Sequence, residues 1–301
     1  MTHRTGFVSL IGRPNAGKST LLNALVGEKV AITAHQAQTT RTTLQGVLTL
    51  PAAQIVFVDT PGIHKSDTLF NKRMMETVRG ALAGRDLILF LGDATKPISE
   101  EDEQAVSALR PDTRALLVAT KIDRLDNKLV LLPFIERYSK LFPFAEALPV
   151  SARTGEGLDD LKTIVAGYLP QGPPLFPKDY LTDQPVRFIA GEIIREQILR
   201  TTRDEVPHAV AVLIDQWTET PRLIRIGASI HVEREGQKAI LIGNKGETLK
   251  KIGSAVRTEL ERMLERKVFL SLFVKVKPHW REDPQFLESI DWRSMVGSED
   301  R

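Results

Sequence analysis

The chain has 301 residues, 42% hydrophobic and 26% charged, with a net charge of +3 and no cysteine. That size allows two domains with a sizeable core, and the composition excludes a disordered, collagen-like or disulfide-built protein. Thiolate metal sites and cysteine catalysis are excluded too, no apolar run approaches the ~20 residues of a membrane-spanning helix, and the first five residues lead into a β-prone stretch without a signal-peptide core.

Residues 7–11, FVSLI, read as a short buried strand. Gly12-Arg13-Pro14-Asn15-Ala16-Gly17-Lys18-Ser19 follows and fits GxxxxGK[ST]. Thr20 continues into a helix that puts Leu21, Leu22 and Leu25 on one face. In a strand, glycine-rich turn and helix, backbone N–H groups wrap phosphate, and the helix N-terminus adds positive potential. Lys18 would reach the β- and γ-phosphates and Ser19 would ligate Mg²⁺. The alternative is a chance match on a surface loop, against which the flanking elements argue.

Residues 30–43 lack helical or strand periodicity and contain Gln38-Thr39-Thr40-Arg41. Loops this long in compact domains tend to be functional. A threonine hydroxyl here could bind Mg²⁺ and its N–H the γ-phosphate, as in a nucleotide switch; a solvated threonine-rich turn is the alternative. Residues 44–50 and 54–59 read as strands joined at Pro51. The second ends in Asp59-Thr60-Pro61-Gly62, where Asp59 could hold Mg²⁺ through water and Gly62 could let a backbone N–H approach phosphate.

The spacing predicts helices over 74–82, 100–109, 127–141 and 158–168, and strands over 86–91, 115–119 and 147–150. The strand at 115–119 runs into Thr120-Lys121-Ile122-Asp123. An Asp123 carboxylate could accept from guanine N1–H and its exocyclic amine, a donor pair adenine lacks on that edge. The Lys121 stem can cover a base face. The last strand ends in Ser151-Ala152-Arg153, whose backbone could meet the guanine oxygen. Alternating strands and helices, with functional residues at strand C-termini, mean an open α/β sheet.

Residues 170–185 hold five prolines among polar residues and read as a stiff, extended linker. Residues 186–201 are helical through Phe188, Ile189, Ile193, Ile194 and Ile198. Residues 208–217 read as a strand alternating at Ala209, Ala211 and Leu213, and 223–232 as a second. An apolar run at 239–242 meets Gly243-Asn244-Lys245-Gly246, and a helix follows through Leu249, Ile252, Val256, Leu260 and Leu264. Lys245, Lys250 and Lys251 cluster at its start. In a strand over 268–277, Val268, Leu270, Leu272, Val274 and Val276 face one way. Net charge is +6 over 185–281 and −4 over 282–301. The basic excess suits an anionic partner such as RNA, although solubility alone could explain it; the acidic end reads as a solvated extension.

The ordered set GRPNAGKS, QTTR, DTPG, TKID and SAR resembles the five guanine-nucleotide motifs of small bacterial GTPases. The GxxG turn in an αββααβ order looks like a bacterial-type KH domain, in which that turn clamps single-stranded nucleotides. An ordinary solvated lysine face is the alternative. The join is similar to the Era GTPases, through RFIAGEIIREQIL, DEVPHAVAV, GNKGETLKKIG and the late Trp280-Arg281.

The resemblance implies a P-loop GTPase domain over 1–170 with a mixed, mostly parallel sheet. A linker would follow over 171–185, then an α+β KH domain over 186–281 and an acidic tail over 282–301. It implies slow hydrolysis of GTP to GDP with Mg²⁺, held by Ser19, Thr40 and Asp59. It also implies binding of 16S ribosomal RNA near its 3′ end through Gly243, Asn244, Lys245, Gly246, Lys250 and Lys251, in small-subunit assembly. The implied location is the cytoplasm, with peripheral membrane association in some members. The switch set is Gln38 to Arg41 and Asp59 to Gly62; the guanine set is Thr120, Lys121, Asp123, Ser151, Ala152 and Arg153.

The chain departs from the usual motifs at two positions. Thr120 stands where the base-reading motif has Asn, so weaker guanine affinity with retained preference is expected. Ile63 stands where Ras-like enzymes place a water-orienting Gln. Related GTPases use a P-loop Asn for potassium, which makes Asn15 a candidate K⁺ ligand; a plain turn former is the alternative. Competing readings are a GTPase of tRNA modification and an RNA-binding protein with a non-hydrolysing nucleotide domain.

Overall fold

The computed structural model describes residues 2–34, 39–62, 68–82, 84–202 and 206–291. The chain forms two compact units. The first draws on Met1–Ala31, Thr40–Asp67 and Asn71–Asp183, the second on Ile32–Thr39, Thr68–Phe70 and Gln184–Arg301.

The first unit runs β1 (Arg4–Ile11), α1 (Lys18–Val26), β2 (Leu44–Leu50), β3 (Ala53–Asp59), α2 (Leu69–Leu82), β4 (Leu87–Asp93), α3 (Glu100–Ser107), β5 (Ala115–Thr120), α4 (Leu131–Leu141), β6 (Ala147–Pro149) and α5 (Leu158–Tyr168). Its sheet has the order β2-β3-β1-β4-β5-β6, parallel except for the β2–β3 hairpin. Every residue of β3, β4 and β5 is buried, because helices cover both faces. Leu21, Leu22 and Leu25 of α1 pack with Leu161 and Val165 of α5 on one face. Val106 of α3 and Phe134 and Tyr138 of α4 pack on the other. This architecture brings the C-terminal ends of β1, β3 and β5 to one edge of the sheet, where open α/β folds place ligands.

The helix expected over 127–141 begins later. Asn127 caps a 3-10 turn at Lys128–Val130, its side chain accepting from Leu129 N at 2.9 Å. The α-helix then starts at Leu131, which puts Pro133 in the first turn, where no N–H partner is required. The proline-rich segment is extended, but it is strapped to the first unit. Val47 N donates to Leu181 O at 2.8 Å, and the Gln54 carboxamide bonds Leu175 and Phe176 backbone.

The second unit runs α6 (Val186–Thr201), β7 (Ala211–Glu219), β8 (Leu223–Val232), α7 (Glu235–Ile242), α8 (Glu247–Leu264), β9 (Lys267–Val276) and α9 (Pro284–Ser289). The sheet order is β7-β8-β9, with β7 antiparallel and β9 parallel to β8. Ile194 and Ile198 of α6 and Ile252, Val256 and Leu260 of α8 bury one face of this sheet with Ile224, Ile226 and Ile230. The inward set of β9 is the expected one.

The alternation expected in β7 is corrected. Half-buried Val212, Ile214 and Trp217 pack against the core, Ala209 and Ala211 are buried as well, and the strand starts at Ala211 after a 3-10 turn at Val206–Ala209. Both phases of this run are apolar, so periodicity could not choose, and a bulge between Ile214 and Gln216 shifts the phase again. The solvated reading of the acidic end is corrected as well. Just ahead of it, Trp280 is fully buried and its indole donates to Ala209 O at 2.9 Å. Asp283 caps α9, which buries Phe286 and Leu287. Residues 292–301 lie outside the described residues.

Candidate nucleotide site and RNA-binding turn

The loop between β1 and α1 needs its glycines. Gly12 sits at φ 156, and a Cβ there would lie 2.5 Å from the Leu91 carbonyl oxygen. Asn15 (φ 62) and Gly17 (φ 100) complete the turn around the buried Ala16. The Lys18 ammonium donates to the Gly12 and Arg13 carbonyls at 3.0 Å each. Burial pulls its pKa down to about 8, against the opposing pull of Asp59. The Arg13 guanidinium turns away to Asp102, 3.3 Å distant beside the start of α3, so Arg13 serves the loop through its backbone. A Cβ on Gly62 would meet Pro14 N at 2.8 Å, so only glycine lets the segment after β3 pass this close to the loop. Thr20 is exposed on the first turn of α1.

Ser19, Thr40 and Asp59 converge. Ser19 Oγ donates to Asp59 Oδ2 at 2.7 Å and lies 2.8 Å from Thr40 Oγ1, which reaches the same carboxylate oxygen at 3.0 Å. Asp59 Oδ1 is buried without a hydrogen-bond partner among the described residues. Burial raises the Asp59 pKa, while Lys18, Ser19 and Thr40 oppose the rise. Two hydroxyls and a carboxylate with an unused oxygen form a hard donor set that fits Mg²⁺. Thr60 plays a different part from its neighbours: fully buried, it donates to Leu10 O at 2.8 Å and ties β3 to β1. Gln38 and Ile63 lie outside the described residues.

At the end of β5, Thr120 Oγ1 donates to Ala16 O at 2.7 Å, with Gly92 O at 3.1 Å. Lys121, in the left-handed region at φ 61, donates to Asn15 O and to Asp93 Oδ2 at 2.6 Å each. Its stem is thereby laid along the loop. Asp123 accepts from Ser151 Oγ at 2.7 Å and pairs with Arg153 at 2.7 Å. Burial raises its pKa, but the Ser151 hydroxyl and the Arg153 guanidinium outweigh it and hold the carboxyl below its ordinary value. Ser151 and Arg153 therefore act on Asp123 through side chains, with the half-buried Ala152 between them.

In the second unit, Gly243 lies at φ 73, and a Cβ there would sit 2.2 Å from Thr248 Oγ1. Lys245 (φ 49) and Gly246 (φ 84) finish the turn. Asn244, Lys245, Lys250 and Lys251 are exposed around the start of α8.

Sequence reasoning missed four residues. Asp93 anchors Lys121, and Asp102 receives Arg13 while closing the capping box of α3 with Ser99. Glu196, fully buried, accepts from Thr33 N at 2.7 Å and from Arg200 at 2.9 Å. Arg195 donates to the Thr39 carbonyl and pairs with Glu192. The available signal was a charged pair set directly after Ile193-Ile194 on an otherwise apolar helix face.

A family model described as a 50S ribosome-binding GTPase matches residues 7–121, and a KH domain model matches residues 205–281. The GTPase Era of Geobacter metallireducens is 50% identical over 292 residues, covering 96% of this chain and 98% of the relative. The chain belongs to the GTPase Era family. The Era protein of Lactobacillus delbrueckii subsp. bulgaricus is 46% identical, with 96% of each chain covered. Among solved structures, an Aquifex aeolicus Era variant bound to GDP·AlF₄⁻ matches with a TM-score of 0.92 at 41% identity, covering 96% of this chain and 99% of that one. An Era complex with MgGDPNP and nucleotides 1506–1542 of 16S ribosomal RNA matches with a TM-score of 0.93 at 40% identity and the same coverage.

Proposed function

We propose that this Era-family chain binds GTP with Mg²⁺, hydrolyses it slowly to GDP, and grips 16S ribosomal RNA near its 3′ end to assist small-subunit assembly. The observation that carries the reading is the convergence of Lys18, Ser19, Thr40 and Asp59 at the ends of β1 and β3. The loop amides of residue 13 and residues 15–19 and the Lys18 ammonium would neutralise the phosphates. Ser19, Thr40 and Asp59 would hold Mg²⁺, which supplies charge neutralisation at the phosphate oxygens. Asp123, kept ionised by Ser151 and Arg153, would accept from the guanine edge. With no side-chain base required, positioning and charge would carry the rate, in keeping with a slow intrinsic turnover.

The RNA half of the reading rests on the GxxG turn at 243–246 and on Lys245, Lys250 and Lys251. A potassium contribution rests on Asn15, exposed in a left-handed turn beside Lys121. The proposed location is cytoplasmic, with peripheral membrane contact. No described helix is long and apolar enough to cross a membrane, and exposed Leu129, Val130 and Leu132 offer an apolar ridge for surface contact. The test is GTP turnover with and without Mg²⁺, together with crosslinking to a 16S 3′ fragment in GDP and in a non-hydrolysable GTP analogue. Turnover without Mg²⁺, or equal crosslinking in both nucleotides, removes the reading.

A further inference from the structure

We propose that the open face of the β7-β8-β9 sheet is a second RNA subsite, on which Phe269 and Phe273 stack unpaired bases. The proposal rests on the RNA reading above and extends it beyond the GxxG turn.

β9 is an edge strand whose Val268, Leu270, Leu272, Val274 and Val276 face the helices. Phe269, Ser271, Phe273 and Lys275 therefore face the other way. Phe269 is 53% and Phe273 58% exposed, the only phenylalanines among the exposed large hydrophobics of the described residues. The core has no use for either ring. At ~3.3 Å per residue the two rings stand about 13 Å apart along the strand, with the small Ser271 between them. Arg225 lies in register with Phe269 on β8, and its guanidinium sits 5.4 Å from that ring's centroid. Aromatic rings on a sheet face, with arginine beside them, are a recurrent platform for single-stranded RNA.

Charge alone does not make this site. Asp215 lies 3.9 Å from Lys275 and Glu219 2.8 Å from Arg266, so much of the local positive charge is offset. Stacking would dominate, and the site would tolerate different bases. The occupant follows from length. The related Era complex holds nucleotides 1506–1542, whereas a GxxG turn clamps about four. The remaining nucleotides would find a further surface within the same unit, since α7, which leads into the turn, packs against β9.

The test uses the full chain with Phe269→Ala, Phe273→Ala, the double variant and Lys245→Ala, loaded with a GTP analogue. Two probes are titrated: a tetranucleotide that fills the turn alone, and the longer 16S 3′ segment. Each phenylalanine variant is expected to weaken the longer RNA about tenfold and leave the tetranucleotide and the salt slope unchanged. In Phe273→Trp, the new indole is expected to be quenched by the longer RNA only, a readout that survives if the alanine variants fold poorly. Full affinity in the double variant, with loss in Lys245→Ala, overturns the platform and spares the RNA reading. No loss in any variant overturns both. Loss of binding to anionic vesicles with RNA affinity intact reassigns the face to a membrane and overturns the proposal.

Discussion

The Thr120 hydroxyl donates to the Ala16 carbonyl oxygen at 2.7 Å, tying the end of β5 to the phosphate loop. A side chain shorter than the family's Asn still braces the loop. Thr120→Val keeps the shape and removes the donor, which leaves a buried carbonyl short of a partner at about 1–2 kcal/mol. Affinity for GDP and GTP is expected to fall roughly five- to thirtyfold, read by titration with a fluorescent nucleotide. Preference over ATP is expected to survive, since Asp123 is held separately by Ser151 and Arg153. Unchanged affinity would show the brace to be idle.

Lys18 gives the nucleotide-free protein an uncommon pH response. Its pKa is lowered from 10.5 to about 8 by burial. Between those values the unfolded chain holds more protons than the folded one, so stability rises as pH rises from about 8 toward 10.5. The gain is on the order of 3 kcal/mol. Lys18→Met is expected to flatten that rise in a denaturation series while abolishing nucleotide binding. Phosphates would restore the charge, so binding near pH 8.5 should take up protons. Calorimetry in buffers of different ionisation enthalpy reads this directly; no proton uptake would place Lys18 away from the phosphates.

Legibility divided along physical lines. Glycine positions, strand ends and β9 were readable because turn geometry and single-phase alternation leave few solutions. Phase in β7 was not, because Val212 and Leu213 are both apolar and a bulge between Ile214 and Gln216 shifts the phase partway along the strand. Thr120 to Ala16, Lys121 to Asp93 and Glu196 to Thr33 were invisible because each joins residues distant in sequence. The acidic end misled because six carboxylates in the last twenty residues outweigh two apolar anchors, Phe286 and Leu287, in composition but not in burial.

The potassium reading turns on Asn15. Its backbone is held, since Lys121 donates to its carbonyl at 2.6 Å, and the left-handed φ of 62 suits Asn better than Ala. Asn15→Gly therefore accompanies Asn15→Ala, because it removes the side chain without the backbone penalty. If Asn15 serves K⁺, both variants lose the excess of turnover in K⁺ over Na⁺ buffer and keep the Na⁺ rate. Equal turnover of the parent protein in both salts removes the ion from the mechanism.

Gly243 and Lys245 separate shape from charge in the GxxG turn. Gly243→Ala combines a φ of 73 with a Cβ 2.2 Å from Thr248 Oγ1, so the turn must rebuild at roughly 2 kcal/mol or more. RNA affinity should collapse, together with a fall of several degrees in the melting midpoint. Lys245 is exposed, and Lys245→Ala leaves the turn intact. It should weaken RNA a few fold regardless of sequence and reduce the slope of log affinity against log salt by about one. GTP turnover without RNA should stay at the parent rate in Lys245→Ala, since the phosphate loop lies in the other unit. A salt slope unchanged by Lys245→Ala would mean that this ammonium makes no phosphate contact.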